Sequence, residues 1–120
     1  MVTYMAKNEF LSGQSLREPT FFILLSLSPA PKHGYAILKE VEALSDGRVR
    51  LSTGTLYGAI KRLLEDGWIR RVDDPLSGDT KRGRKAYALT ERGCRVLNAE
   101  IQRLGQLVQV AQMETAEETL

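Results

Sequence analysis

The residues of this chain best suited to bind another molecule carry hydroxyl or cationic side chains and lie between positions 52 and 85. The first group lies within residues 52–62 and comprises Ser52, Thr53, Thr55, Tyr57, Lys61 and Arg62. The second group lies further along the chain and comprises Lys81, Arg82, Arg84 and Lys85. Hydroxyls donate to phosphates and base edges, and Lys and Arg neutralise phosphates. Both groups therefore suit nucleic-acid binding.

Catalytic and metal chemistry have few residues to draw on. The chain has one cysteine, Cys94, and one histidine, His33, which excludes a disulfide framework and a metal site built from several thiolates or imidazoles. Asp73, Asp74 and Asp79 lie in a turn-rich segment that cannot hold paired carboxylates in a fixed geometry. The sequence shows no set of nucleophile, base and orienting residue. We therefore predict no catalytic residues, no metal, no cofactor and no enzymatic activity.

The net charge of +2 conceals an uneven distribution along the 120 residues. Residues 48–95 contain twelve basic and six acidic residues, a net charge of +6, whereas residues 1–47 carry −1 and residues 96–120 carry −3. A basic block of this kind favours a polyanionic partner, because Lys and Arg displace counterions from phosphates. The alternative is a solvated surface of scattered charges, which composition alone leaves open.

The chain before the basic block predicts two helices after an N-terminal arm. Pro19 suits a first helical turn, and residues 21–27 are apolar on every side, which indicates a helix buried at the centre of the domain. A second helix is expected to follow. Its Ile37, Val41 and Leu44 are spaced so that they share one buried face.

Helix three is the most informative element of the sequence. Ser52 or Thr53 can cap its N-terminus by accepting from free backbone N–H groups. Its apolar stripe comprises Leu56, Ile60, Leu63 and Leu64. The opposite face is small near its start and basic further along, and it comprises Gly54, Thr55, Gly58, Lys61 and Arg62. Tyr57 lies on the flank, where it either contacts DNA or packs sideways against the domain.

Two strand-like runs follow helix three, at residues 68–72 and 85–89. The segment between them is rich in turn formers and ends in cations. This pattern predicts a β-hairpin with a long, positively charged tip.

A long C-terminal helix is expected to begin after Thr90, a suitable N-cap. Its apolar residues follow an a/d heptad pattern and comprise Leu97, Ile101, Leu104, Val108 and Ala111. This stripe is about 21 Å long at a rise of 1.5 Å per residue, more than a small domain covers within its own chain, so we expect a partner helix. Cys94, one turn before the stripe, is expected to be a buried thiol, with a redox sensor as the alternative.

This order of elements predicts a winged helix-turn-helix domain, mainly α with a small β-hairpin, plus a C-terminal dimerisation helix. We place an N-terminal arm at residues 1–17, the winged domain at 18–90, the dimerisation helix at 91–113 and an acidic tail at 114–120. In such a domain, helix three enters the major groove, and the cations of the hairpin reach phosphates or the minor groove.

Four motifs in this order resemble the PadR family of bacterial transcriptional regulators. They are His33–Ile37, Leu51–Tyr57, Leu63–Ile69 and Gly83–Gly93. The resemblance covers residues 18–111 and implies a homodimer that represses promoters and is released by a small molecule or stress signal. The chain resembles the short branch of the family, in which a single C-terminal helix makes the dimer.

The sequence therefore predicts two sites. The DNA-binding site comprises His33, Tyr35, Ser52, Thr53, Thr55, Tyr57, Lys61, Arg62, Lys81, Arg82, Arg84 and Lys85. The dimer interface is the heptad stripe of the C-terminal helix, and a dimer would present its two third helices to an inverted repeat in double-stranded DNA. His33 is expected to cap helix two or contact a phosphate and not to act as a catalytic base. A small-molecule effector of unidentified chemistry is also expected.

Two other function classes remain open, a ligand-binding module and a protein-interaction module, each on a winged-helix scaffold without sequence-specific DNA binding. The basic block favours DNA binding over both. No apolar run approaches the roughly 20 residues needed to span a bilayer. The N-terminus lacks the charged and apolar regions of a secretory signal. We therefore expect a cytoplasmic protein without a membrane partner.

Overall fold

The structure is a computed structural model that describes residues 15–73 and 85–118. Its elements in chain order are α1 (Glu18–Leu27), β1 (Lys32–His33), α2 (Gly34–Leu44), α3 (Thr53–Glu65), β2 (Ile69–Asp73), β3 (Lys85–Leu89) and α4 (Glu91–Glu118). The predicted order of helices and hairpin strands is confirmed. The predicted fold class, mainly α with a small antiparallel sheet, is confirmed as well.

α1 is buried in the domain, as its apolar composition predicts. Ile23 and Leu24 are fully buried and Leu27 nearly so, and the helix packs against α2, α4 and β3. Ser26 shares this buried surface. Its hydroxyl donates to the Ile23 carbonyl at 2.7 Å, so the buried polar atom has the partner that it needs.

α2 buries the first two residues of its predicted apolar stripe but not the third, Leu44, which is 41% exposed. The prediction for Leu44 is therefore wrong. The helix ends there, and the chain turns through Asp46 and Gly47, whose φ angles of 56° and 80° are left-handed. The Val49 N–H then donates to the Ser45 hydroxyl at 2.9 Å. This fold-back buries Val49 in the core while the last turn of α2 leaves Leu44 outside it.

The sheet has three antiparallel strands in the order β1-β3-β2, so β3 is the central strand. The hairpin of β2 and β3 was predicted, whereas β1 was not, because two residues are too short to show an alternating pattern. In the observed register, Lys32 of β1 and Arg71 of β2 flank Tyr87, which is buried. Residues 74–84, which join β2 to β3, lie outside the described residues.

α4 begins after Thr90, which acts as the predicted N-cap. The Thr90 hydroxyl accepts from the Gly93 N–H at 3.0 Å and donates to the Gly67 carbonyl at 2.6 Å. The helix then runs for 28 residues to Glu118. Residues 114–118 therefore continue the helix and do not form the separate acidic tail that the sequence predicted.

The face of α4 that packs on the domain differs from the predicted one. Gly93, Leu97 and Glu100, spaced at i, i+4 and i+7, are buried against their own chain. Leu97 is 3% exposed and belongs to the core, which contradicts its predicted place at the dimer interface. Cys94 is exposed, so the predicted buried thiol is also wrong. The physical reason is rotation, since each residue advances about 100° around the helix and Cys94 lies beside the packed face.

Candidate nucleic-acid interface

α3 begins with a predicted cap. Ser52 has an extended backbone, and its side-chain oxygen accepts from the Thr55 N–H at 3.1 Å. The Ser52 hydroxyl donates to the Thr55 side-chain oxygen at 2.9 Å. Because the Thr55 oxygen is the acceptor in that bond, its own proton stays a donor for a ligand. The cap thus defines where α3 starts and orients a hydroxyl donor at the surface.

α3 separates its two faces as its spacing predicts. The buried face comprises Leu56, Ala59, Ile60 and Leu63. The exposed face comprises Thr53, Gly54, Thr55, Gly58, Lys61 and Arg62. A Cβ atom built at Gly54 or Gly58 would meet no heavy atom within 4 Å. The backbone of α3 is therefore open at both glycines, and a groove wall can approach it closely there.

Tyr57 lies on the flank of α3 and is 45% exposed. Its ring covers Gly34, the first residue of α2, so closely that a Cβ atom at position 34 would overlap the Tyr57 hydroxyl. The predicted alternatives for Tyr57 were contact with DNA and sideways packing. The packing is present, and almost half of the residue still faces solvent beside the exposed face of α3.

The start of α2 carries two more of the predicted site residues. His33 occupies the N-cap position with an extended backbone, but its side chain makes no capping hydrogen bond, so the predicted capping role is wrong. The ring instead places Nδ1 3.3 Å from the carbonyl oxygen of Lys85, which ties α2 to β3. Tyr35 is 69% exposed, and the Lys39 ammonium lies 5.6 Å from its ring centroid, within the range of a cation–π contact.

The predicted cations of the hairpin are described only in part. Lys85 is exposed at the first residue of β3. Lys81, Arg82 and Arg84 lie outside the described residues. β2 packs against α3, so the hairpin strands begin beside the helix that carries the hydroxyls.

Two exposed cations lie on β2, the strand that packs against α3, and they were missed in the sequence. Arg70 and Arg71 are both exposed. The signal that could have found them is a pair of arginines inside a strand, where at least one must face away from the core. Among the described residues, the ion pairs join Arg48 to Glu18, Arg50 to Glu42 and Arg103 to Glu100. Within residues 15–73 and 85–118, none of these ion pairs involves a cation of α3 or β2.

The second half of α4 exposes an apolar surface. Its large exposed residues are Ile101, Leu107, Val108, Val110 and Met113. Leu104 is half-buried and Ala111 is exposed. The predicted stripe thus continues from Ile101 along one face of α4, with Leu107 beside it, whereas Val110 and Met113 lie on the other side of the helix. We call the face formed by Ile101, Leu104, Val108 and Ala111 the α4 apolar surface, and an exposed patch of this kind marks an interaction site.

Residues 15–73 and 85–118 show neither a metal-binding cluster nor a membrane-spanning helix. That part of the chain contains no cluster of His, Cys, Asp and Glu that could hold a metal ion. Its helices are all too short or too polar to cross a bilayer.

The chain resembles known proteins in both sequence and fold. The pattern of the transcriptional regulator PadR-like family matches residues 23–99. An uncharacterized 37.1 kDa protein in transposon Tn4556 of Streptomyces fradiae is 32% identical over 85 residues, which cover 71% of this chain and 22% of that protein. The chain thus spans about a fifth of the length of this curated relative.

Solved structures share the fold. A PadR family transcription regulator from Clostridium difficile R20291 superposes with a TM-score of 0.65 at 23% identity, covering 83% of this chain and 99% of that one. Bacillus subtilis PadR in complex with operator DNA superposes with a TM-score of 0.59 at 26% identity, covering 68% of this chain and 45% of that one. A winged-helix DNA-binding protein from STIV superposes with a TM-score of 0.62 at 23% identity, covering 79% of this chain and 96% of that one. The chain therefore belongs to the PadR-like family of transcriptional regulators and has a winged-helix fold.

Proposed function

We propose that this chain is a DNA-binding transcriptional repressor that acts as a homodimer on an inverted-repeat operator. The observation that carries the proposal is the exposed face of α3. It combines an oriented Thr55 hydroxyl, open backbone at Gly54 and Gly58, and the cations Lys61 and Arg62 on the side opposite the core.

The chemistry of this face suits the major groove. Small residues let the backbone of α3 come close to the bases, and hydroxyl donors can reach base edges or phosphates. Lys61 and Arg62 lie two turns further along, where the helix would meet the phosphates of the groove wall. Arg70 and Arg71 extend the positive charge on the adjacent strand. The cations between β2 and β3 in the sequence, Lys81, Arg82 and Arg84, are proposed to add contacts to phosphates or the minor groove.

The homodimer is proposed from the α4 apolar surface. Ile101, Leu104, Val108 and Ala111 share one face of α4, on which Val108 is more than half exposed, and a second α4 would cover this face by helix–helix packing. A two-fold dimer presents two α3 helices to DNA, which fits half-sites about one helical turn, roughly 34 Å, apart. Family membership further supports release by a small molecule or stress signal, a cytoplasmic location and no enzymatic activity.

A mobility-shift titration against DNA selected from a random-sequence library tests this function. Tight binding that weakens steeply with salt and prefers the selected sequence is expected. Lys61→Ala and Arg62→Ala should each weaken binding. The matched control is Arg48→Ala, since Arg48 is already paired with Glu18 at 2.7 Å. Absence of DNA binding by the folded wild type would contradict the proposal and favour a ligand-binding or protein-interaction module, for which the α4 apolar surface would be the contact site.

A further inference from the structure

Glu100 on α4 is only 5% exposed, and it is the one buried charged residue in the described part of the chain. Its two carboxylate oxygens accept from Arg103, Oε1 from Nε at 2.9 Å and Oε2 from a terminal nitrogen at 2.7 Å. Oε2 also accepts from the backbone N–H of Leu16 at 3.3 Å, across 84 residues of sequence. Glu100 therefore ties α4 to the segment that enters α1.

The carboxylate is charged in this setting. Hydrogen bonds from the Arg103 guanidinium outweigh burial and hold the pKa of Glu100 below its ordinary value. A buried charge keeps its position only where its partners are fixed, since leaving one unpaired is costly. Leu16 is half-buried and packs against the core, so the partner from the N-terminal side is anchored to the domain.

α4 has a second anchor at its start. Thr90 is bonded to Gly67 at 2.6 Å through its hydroxyl and to the Trp68 carbonyl at 3.0 Å through its N–H. Gly93 fits against Trp68 so tightly that a Cβ atom there would overlap the Trp68 carbonyl oxygen. This anchor follows directly after α3. Gly93 and Glu100 are seven residues apart, about 10 Å along the helix, and two anchored points define the direction of a rigid rod.

We infer that Glu100 is a positioning residue, which by holding α4 to the Leu16 backbone fixes the direction in which α4 leaves the domain relative to α3. α4 continues for about 27 Å beyond Glu100 at 1.5 Å per residue. A sideways movement of about 1 Å at Glu100, pivoting at Gly93, becomes about 3–4 Å at the far end of the helix. That displacement equals the rise of about one base pair.

In a homodimer formed through the α4 apolar surface, Glu100 thereby determines the half-site spacing that the operator must have. This consequence rests on the proposed function, because only a dimer on an inverted repeat converts helix direction into spacing. The direction of α4 itself can be measured without DNA and without a partner. The test therefore has two readouts, one for the direction and one for the spacing.

The first readout is a distance between spin labels within one chain. Labels at Glu65→Cys on α3 and Gln109→Cys on α4, in a Cys94→Ser background, are measured with labelled chains diluted in unlabelled protein. One narrow distance distribution is expected for the parent, and Glu100→Ala should shift or broaden it. Glu114→Ala removes an exposed carboxylate from the same helix and should leave it unchanged. Glu100→Gln keeps an acceptor oxygen and the shape of the side chain. Its distance distribution should therefore lie between those of Glu100→Ala and Glu114→Ala.

The second readout is operator spacing. The selected inverted repeat is rebuilt with spacers one and two base pairs shorter and longer. The wild type is expected to discriminate by about tenfold against a change of one base pair, the size of one lost base contact. Glu100→Ala should reduce this discrimination between spacer lengths to within about threefold, or move the optimal spacer length by one base pair. Its affinity for a single half-site should stay unchanged, which a general loss of folding would not produce.

The outcomes separate the inference from the proposed function. Identical distance distributions in the parent and Glu100→Ala, with both folded, would overturn the positioning role. Unchanged spacing preference in Glu100→Ala would overturn its consequence for the operator. If Glu100→Ala does not fold, Arg103→Ala is measured in the same two ways, since it removes the bonds that hold the carboxylate. A wild type that binds no DNA contradicts the proposed function, while the label distances still decide the role of Glu100.

Discussion

The phenol ring of Tyr57 on α3 rests on Gly34 at the start of α2, in a space that no side chain at position 34 can share. The ring thus fills the space between α3 and the first residue of α2. Tyr57 is thus both a spacer between α2 and α3 and an exposed group beside the candidate recognition face. Changes at either residue should separate these two roles.

Gly34→Ala is expected to push the Tyr57 ring outward, because the new methyl group would overlap its hydroxyl. The displaced atoms belong to the far end of a side chain, so the free energy of unfolding should fall by only about 1–3 kcal/mol, while operator affinity falls as the ring moves toward the groove. Urea unfolding and DNA titration measure the two effects. Gly58→Ala is the control for stability, since its Cβ meets open space, and it should stabilise the helix by up to about 1 kcal/mol.

The Gly34 effect should disappear when the ring is absent. Combining Gly34→Ala with Tyr57→Ala forms a double-mutant cycle in which the two losses are not additive. Additive losses would mean that the overlap is relieved somewhere other than at Tyr57.

Tyr57→Phe is expected to weaken operator binding with little change in melting temperature. The substitution keeps the ring on Gly34 and removes one hydroxyl. If that hydroxyl contacts DNA, its loss should cost about 1–3 kcal/mol in each half-site. Fluorescence anisotropy with the selected operator measures the affinity. Tyr57→Ala supplies the comparison, because it also removes the packing and should lower the melting temperature. Unaltered affinity in both Tyr57→Phe and Thr55→Ala, with the fold intact, would remove α3 from the recognition role.

Ile101→Glu combined with Val108→Glu is expected to convert the dimer to a monomer without unfolding the domain. Both residues are exposed within the single chain, so the domain loses little, whereas a helix–helix interface would have to bury two unpaired charges. Sedimentation at micromolar concentration gives the oligomeric state. Gln102→Glu with Gln109→Glu adds the same charge to the same helix and should leave the dimer intact. A monomeric wild type, or a dimeric double variant, would show that the α4 apolar surface is not the interface.

Glu100 makes the stability of the domain depend on pH in a defined direction. The Arg103 hydrogen bonds hold the pKa of Glu100 below its ordinary value in the folded chain. Its stabilisation is therefore present above the ordinary glutamate pKa of about 4.3 and is lost as the pH falls through the lower, folded-state pKa. Urea unfolding should show wild type more stable than Glu100→Gln at pH 7, with the difference shrinking toward pH 3. A difference that grows on acidification would contradict this assignment.

Periodicity alone was sufficient to predict the faces of α3, because its apolar residues recur at helical spacing over about two turns and its opposite face carries only small and polar residues. Ser52 and Thr90 were also predictable as caps, since their bonds run to residues three positions away. The hydroxyl and cationic residues of α3 followed from the same local rules. The family could be inferred because its motifs lie in these locally determined segments.

Burial and long-range contacts depend on which elements pack together, so these features could be determined only from the tertiary structure. The stripe on α4 is continuous in the sequence, yet Leu97 is in the core and Ile101 is exposed, because Gly93, Leu97 and Glu100 form the packed face and Ile101 lies beside it. Leu44 and Cys94 were predicted as buried from spacing and are exposed, because α2 ends at Leu44 and Cys94 lies beside the packed face of α4. The bond from Glu100 to Leu16 spans 84 residues, and no periodic pattern encodes a contact at that separation. Short-range hydrogen bonding and helical geometry are written in the local sequence, whereas burial is set by the packing of the whole chain.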